Sequence, residues 1–304
     1  MKLSEKVVWP LAGHYLVAVS GGVDSMALLN LLAAQAKSRK LQLEVAHFNH
    51  GWTEAAVGYE AVVKASAKKY DLPFHKGSGE VAVNEAAARE ARYTWLREVM
   101  HSTRATAIVA AHHHDDLIET VVLNLQRGTG RRGLTPFGSA PDVLRPLVGV
   151  SKAELIEYVQ DRQLQWIEDA TNTDTRFRRN EVRTKLLPRL RKENSGFDER
   201  LDEVIEEAAK LNPAIDVALT GQITKGEGRA SVSTESLRRM PLATLTETLV
   251  MMANTARPGT ELAGRTVEAL AVDIKTGRFR SHRELTKRLF ASRARDTVSI
   301  AFTP

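Results

Sequence analysis

The 304 residues contain no cysteine. That removes disulfides, thiolate nucleophiles, cysteine-ligated zinc and cysteine-ligated iron–sulfur clusters from what the chain can build. It also agrees with a reducing compartment, and a cytoplasmic location is the expectation. Aromatic residues are scarce at 6%, so the core must rest on Leu, Val, Ile and Ala. No apolar run approaches the roughly 18 residues of a membrane span. Near the N-terminus, Glu5, Lys6, Pro10 and His14 interrupt the apolar residues, so neither a secretory leader nor a membrane partner is expected. A Walker A loop, G-x-x-x-x-G-K-[ST], is missing as well.

What remains is ordinary in bulk and informative in order. Hydrophobic residues make up 43% and charged residues 26%, which excludes disorder, collagen-like repeats and fibres. At roughly 100–200 residues per domain, the length predicts two domains, or one large one with an appendage. Lys and Arg number 43 against 37 for Asp and Glu, a formal charge of +6. That surplus is compatible with a polyanionic partner without requiring one, and its location matters more than its size.

Strand and helix signals alternate through the first half. Tyr15–Val19 (YLVAV) is an apolar, β-branched run suited to a buried strand, and Leu43–Phe48 and Ala107–Ala111 repeat the type, with Pro73–Lys76 as a shorter candidate. Helices are predicted from Met26 onwards, over Glu54–Tyr70, over Glu85–Met100 with Asn84 as N-cap, and over Asp115–Gln126. Ser151 opens another, with Glu154 in capping-box register, and Pro188 is expected to shorten or kink a later one. The order predicts an α/β fold: a twisted parallel sheet with helices on both faces, its ligands bound beyond the carboxyl ends of the strands. Three chemically loaded segments fall there, after Val19, Phe48 and Ala111. Past residue 195 the character changes to an acidic amphipathic helix over Asp198–Lys210, helices over Pro241–Ala253 and Gly264–Ile274, and an alternating final stretch that reads as an edge strand. The expected domains are therefore 1–195 and a small, mainly helical 196–304.

The segment between the first strand and helix is Ser20–Ser25, SGGVDS. Gly21 and Gly22 permit a tight turn with inward N–H groups, Val23 lies at the helix start, and Ser20 and Ser25 add hydroxyls, which together suit a phosphate. Asp24 fits such a cradle only if a divalent metal bridges it to the phosphate. The plainer account is a turn capped by Asp24 or Ser25. In Ala110–Thr120, AAHHHDDLIET, Asp115 and Glu119 are four apart and Asp116 and Glu119 three apart, so carboxylates share a helix face. Capping plus a solvated face explains the same stretch. His112, His113 and His114 are consecutive and do not converge on one ion, which argues against zinc. Arg89 and Arg92 share a face of their helix, where ordinary charge pairing is the simpler account. From Thr175 to Lys192 eight basic residues stand against one acid, which suits a nucleic-acid backbone or a solvated basic helix.

Taken together, these motifs resemble a known family. SGGVDS resembles the PP-loop of the N-type ATP pyrophosphatases, which implies a Rossmann-like PP-loop ATPase fold. AHFNHG, EAAAREARY, AHHHDDLIET, RGTGRRGL, RPL and IEDATNTDTRFRRNEVR follow in the order found in the tRNA(Ile)-lysidine synthetase family, across about Tyr15–Leu190. The remaining length resembles the short form of that family, with one small helical domain after the catalytic one. Trp52 and Thr53 replace a usual Leu-Arg, Pro136 stands near a usual glycine, and His114 replaces an apolar residue.

The resemblance implies a ligase acting on cytidine at the first anticodon position of tRNA(Ile) with a CAU anticodon. ATP adenylates the oxygen at C2 and pyrophosphate leaves; the side-chain amine of free L-lysine then attacks C2 and expels AMP. It implies nucleotide binding by Ser20, Gly21, Gly22, Val23, Asp24, Ser25 and His47, with Mg²⁺ at Asp24. It implies catalytic roles for Asp24, Arg92, His112 and Arg183, with His113 as the other histidine at the same strand end. Asp116 and Glu119 would recognise lysine, and Arg127, Arg178 and Arg179 would contact tRNA or order loops. The oligomeric state stays open, a homodimer included. A tRNA thiolase on the same loop is the nearest rival, and the absence of cysteine counts against it. An ammonia-using amide synthetase would leave the basic stretch without a role, and a non-enzymatic RNA-binding protein would not need SGGVDS.

Overall fold

The computed structural model describes residues 3–49, 56–79, 85–167, 178–260 and 262–303. After a short helix α1 (Leu3–Lys6) the chain runs β1 (Gly13–Ala18), α2 (Val23–Arg39), β2 (Leu41–Asn49), α3 (Ala56–Lys69), β3 (Phe74–Ser78), α4 (Glu85–Thr103), β4 (Ala107–Val109), α5 (His114–Gln126), β5 (Val143–Leu144) and α6 (Lys152–Asp161). Then come α7 (Arg178–Glu181), one π-helical turn (Val182–Leu186) and α8 (Leu187–Glu193). The strands pair in parallel in the order β3-β2-β1-β4-β5, as the alternation predicts.

Successive β1 side chains enter opposite cores, as a pleated strand requires. Tyr15 and Val17 pack with Leu28, Leu29 and Leu32 of α2, Val63 of α3, and Leu155 and Val159 of α6. Leu16 packs the other way, with Tyr93, Leu96 and Met100 of α4. Both faces are thus covered, which is why β1 reads as a continuous apolar run. The chain places β2 and β3 on one side of β1, and β4 and β5 on the other. The winding reverses between β1 and β4, and the loops that leave these two strands flank the resulting crevice.

The capping box at α6 is present: Ser151 Oγ accepts from Glu154 N at 3.3 Å, and Ser151 N donates to Glu154 Oε2 at 3.0 Å. The break near Pro188 takes a specific form. Pro188 has no N–H to give the Thr184 carbonyl, and the helix widens just before it, where Leu187 N bonds to Val182 O.

The chain divides into two compact units, Met1–Thr120 with Ala140–Glu193, and Val121–Ser139 with Asn194–Pro304. The second unit holds α9 (Phe197–Thr220), β6 (Thr224–Gly226), β7 (Arg229–Ser233), α10 (Thr234–Arg239), α11 (Leu242–Ala256), α12 (Gly264–Thr276), β8 (His282–Thr286), β9 (Leu289–Ala294) and β10 (Thr297–Phe302). Its strands form an antiparallel sheet ordered β6-β7-β10-β9-β8. Leu245, Leu249 and Met252 of α11 and Leu270 and Ile274 of α12 share a core with Val298 and Ile300 of β10.

Three expectations need correction. The final strand is central rather than at an edge, because β7 and β9 pair with its two sides. The helix expected to stop at Lys210 runs to Thr220, through Pro213. Residues 121–139, expected in the first domain, join the second unit, and Arg131 ties them there. Its Nε donates to Glu247 Oε2 at 3.0 Å and its Nη1 to Asn212 Oδ1 at 2.7 Å. Two glycines of RGTGRRGL sit where a side chain would collide: a Cβ on Gly130 would come 2.8 Å from Glu247 Oε1, and one on Gly133 1.8 Å from Thr129 Oγ1 of the same loop.

Candidate active site

The loop after β1 turns on Ser25. Its Oγ accepts from Ser20 N at 3.2 Å and Gly21 N at 3.1 Å and donates to Gly22 O at 2.9 Å. Gly21 has φ +97°, and a Cβ there would meet Tyr59 at 3.0 Å, so both backbone and space require glycine. Ser25 is buried and thus a structural part of the loop. Gly22 precedes the first turn of α2 without any side-chain cap. The N–H groups of Val23, Asp24 and Ser25 therefore begin a 17-residue helix with its positive end open to an anion. His47, at the end of β2, is buried and its Nδ1 lies 2.9 Å from Val19 O. A carbonyl only accepts, so Nδ1 carries a proton. The His47 Nε2 has no hydrogen-bond partner among the described residues.

The loop after β4 enters α5 beside this turn. His113 is buried, with Nε2 3.8 Å from Asp24 Oδ2 and 3.5 Å from Asp116 Oδ2. One imidazole thus joins the two motifs that the sequence separates by about ninety residues. Asp116 Oδ2 also accepts from His113 N at 3.2 Å. Burial pushes the Asp116 carboxyl up, but the His113 ring and the Arg179 guanidinium outweigh it and hold the carboxyl below its ordinary range. His112 goes the other way: burial lowers it to about 3, and Arg89, Arg145 and Arg179 add to the effect against Asp116. It is a neutral imidazole at pH 7, with Arg89 Nη1 3.5 Å from its Nε2.

Glu119 is only 1% exposed. It receives Arg183 Nε at 2.5 Å, Arg183 Nη2 at 2.9 Å and Arg179 Nε at 3.0 Å. Arg179 Nη2 also donates to Asp116 Oδ1 at 3.2 Å. The Glu119 carboxylate raises Arg183 above its ordinary value, against burial. Arg183 sits in the π-helical turn, so the local widening sets where its guanidinium reaches. Asp115 accepts from the N–H of Lys152 at 2.8 Å and from Arg191 Nη2 at 3.2 Å. Burial would raise Asp115, but these partners and His113 bring it below the ordinary carboxylate range. Lys152 closes the set with Nζ 2.7 Å from Asp24 Oδ1.

The structure therefore brings together Ser20–Ser25, Asp24, His112, Asp116, Glu119, Arg179 and Arg183. Arg179, assigned by resemblance to tRNA or loops, is the partner of both carboxylates. Arg92 is half-buried on α4 with its guanidinium 5.5 Å from the Tyr93 ring centre. Arg127 and Arg178 are exposed, Arg127 in the second unit. Arg176, Asn84, His50, Trp52 and Thr53 lie outside the described residues. Sequence reasoning passed over Lys152, Arg191 and Arg145, and it set Arg89 aside. Lys152 carried one usable signal, since it follows the helix-capping Ser151 shortly after the RPL segment.

Among the described residues, no three His, Asp or Glu side chains are grouped to hold a metal by themselves, and no helix is long and apolar enough to cross a membrane. Mg²⁺ commonly binds through one or two carboxylates plus substrate phosphates and water. Asp24 at an open helix N-terminus fits an ion of that kind arriving with a nucleotide.

The profile of the PP-loop domain matches residues 3–190. A tRNA(Ile)-lysidine synthase of Pseudomonas aeruginosa is 41% identical over 192 residues, covering 60% of this chain and 43% of that protein. One of Geobacter sulfurreducens is 36% identical over 242 residues, covering 74% of this chain and 51% of that protein. The chain spans about half the length of the curated relatives it matches. Among solved structures, the U34-tRNA thiolase NcsA from Methanococcus maripaludis, described with its 4Fe-4S cluster, aligns with a TM-score of 0.58 at 15% identity, over 69% of this chain and 78% of that one. At that identity the likeness is one of fold.

Proposed function

The chain belongs to the PP-loop domain family, and we propose that it converts cytidine at the first anticodon position of tRNA(Ile) to lysidine, using ATP and free lysine. The observation that carries this reading is the junction at His113, which sets the phosphate-binding turn beside a carboxylate–arginine cluster. The open N-terminus of α2 supports binding of the ATP phosphates. Attack by the C2 oxygen of cytidine on the α-phosphate releases pyrophosphate, and N–H donors aimed at that leaving group stabilise its charge. Mg²⁺, when bound at Asp24, would neutralise part of the same charge.

The second step needs an amine held near C2 and deprotonated before attack, because a lysine side chain has a reference pKa of about 10.4. Asp116 and Glu119 divide this work unequally. Asp116 is the more accessible, at 16% side-chain exposure against 2% for Glu119, and it is the carboxylate that meets the substrate ammonium. Glu119 positions Arg179 and Arg183. Arg183 then faces the reacting phosphate and base, and neutral His112 contacts nucleotide or intermediate without adding charge. The thiolase reading keeps no support from chemistry, since the 304 residues supply no thiolate.

The test is mass spectrometry of tRNA(Ile) after incubation with the protein, ATP, Mg²⁺ and lysine. The expected product carries the mass of lysine less one water at the anticodon cytidine, and forms only with all three present. Unmodified tRNA, with ATP still exchanging with pyrophosphate, would leave the loop assignment standing and defeat the choice of substrate.

A further inference from the structure

We propose that Lys152 is the cation that receives the pyrophosphate leaving group, and that it waits on Asp24 until a divalent ion displaces it. The inference rests on the reading of Ser20–Ser25 as the ATP phosphate site. That loop contains no Lys or Arg. With the Ser25 hydroxyl committed to the loop itself, it offers neutral N–H groups, the Ser20 hydroxyl and one carboxylate, which is a poor match for a leaving group bearing several negative charges. Loops of the Walker A type solve the problem with a lysine of their own. Here the cation comes from the start of α6, 128 residues along the chain, with Nζ 2.7 Å from Asp24 Oδ1.

The surroundings of Lys152 hold its backbone firmly, while its side chain is tied by the Asp24 ion pair. Its N–H is bound to Asp115 Oδ2 at 2.8 Å, and Asp115 is held in turn by Arg191 at 3.2 Å. The preceding Ser151 is locked in the capping box, whose Glu154 also pairs with Lys6 at 2.6 Å. The ammonium sits at the end of a flexible four-carbon stem, and the side chain is 39% exposed. An ion pair this open adds little to stability, so structural support alone is a weak reason for it. A binding role accounts for both ends of the pair. Without a metal, Lys152 cancels an acid that would repel the nucleotide. When a divalent ion takes Asp24, like charge expels the ammonium, and the nearest new anion is the phosphate chain.

The exchange predicts two effects of opposite sign in Lys152→Met. Calorimetric titration of the full chain with inorganic pyrophosphate in Mg²⁺ should show affinity about tenfold to a hundredfold weaker than wild type, the range for one lost charge-assisted hydrogen bond. Mn²⁺ alone, followed by its paramagnetic resonance, should bind the variant several-fold more tightly, because a competitor for Asp24 is gone. Lys152→Arg should keep most of the pyrophosphate affinity, and adenosine binding should be unchanged in both variants. Pyrophosphate affinity in Lys152→Met within about twofold of wild type would overturn the contact. Unchanged or weaker Mn²⁺ binding would overturn the exchange. Loss of adenosine binding together with a lowered melting temperature would make Lys152 a structural residue and also overturn it. If wild type itself takes up no pyrophosphate in Mg²⁺, the reading of the loop fails, and this inference with it.

Discussion

Replacing Glu119 by glutamine separates a positioning carboxylate from one that meets substrate. The substitution keeps shape and removes one charge. It also turns one of two oxygens into an N–H donor facing guanidinium N–H groups. Glu119 is 1% exposed and receives three hydrogen bonds from Arg179 and Arg183. Removing one partner of a buried ion pair costs about 3–5 kcal/mol. The arginine side chains are 24% and 38% exposed, so water recovers part of that. A loss of about 2–3 kcal/mol follows, near that of one to two charge-assisted hydrogen bonds. For a unit of this size that lowers the melting temperature by about 5–10 °C. Thermal unfolding of Glu119→Gln, Arg183→Ala and the double variant gives the coupling directly, and the double variant should lose clearly less than the sum of the singles. A Glu119→Gln protein that melts within about 1 °C of wild type would refute the reasoning, because a buried carboxylate gripped by two cations cannot be neutralised at so small a cost.

Asp116→Asn should raise the KM for lysine far more than that for ATP, whereas an equal rise in both would move Asp116 to the nucleotide. Gly21→Ala places a Cβ at φ +97°, 3.0 Å from Tyr59; calorimetry should register weakened ATP binding alongside a stability loss of about 1–3 kcal/mol, and unchanged binding would contradict the tight turn. His112 is held near 3 against an ordinary 6.5, so the unfolded chain takes up a proton there that the folded one refuses. The stability this represents is complete above pH 6.5 and drains away as pH falls toward 3. Urea unfolding between pH 7.5 and 4 should accordingly fall more steeply for wild type than for His112→Gln, and parallel curves would reject it. Finally, Arg178→Ala and Lys185→Ala should weaken tRNA binding and flatten its salt dependence. Arg183→Ala should spare binding and reduce turnover, so a salt series in which all three behave alike would remove the special role of Arg183.

The parallel sheet was legible because its signals are local. Tyr15–Val19 and Ala107–Ala111 are buried on both faces, and burial on both faces demands an uninterrupted apolar run whatever the rest of the chain does. The turn at Ser20–Ser25 was legible for a similar reason, since φ +97° at Gly21 and the inward Ser25 hydroxyl are properties of six consecutive residues. The capping box at Ser151 belongs to the same class. What the second unit does with its alternating C-terminal stretch was not local. Alternation places side chains on two faces but says nothing about how many strands flank them, and only pairing with both β7 and β9 makes β10 central. Residues 121–139 follow the partners of Arg131, which lie about a hundred residues away. The same limit governs the candidate site. Sequence spacing puts Asp116 and Glu119 on one helix face, yet which acid is sealed and which is open depends on two arginines from a helix some sixty residues later. Nothing in the neighbourhood of Lys152 names Asp24 as its partner. Local chemistry fixed the strand, the turn and the caps, while long-range packing decided which charges meet, because Coulomb energy depends on distance in space and a chain read in order carries only distance along itself.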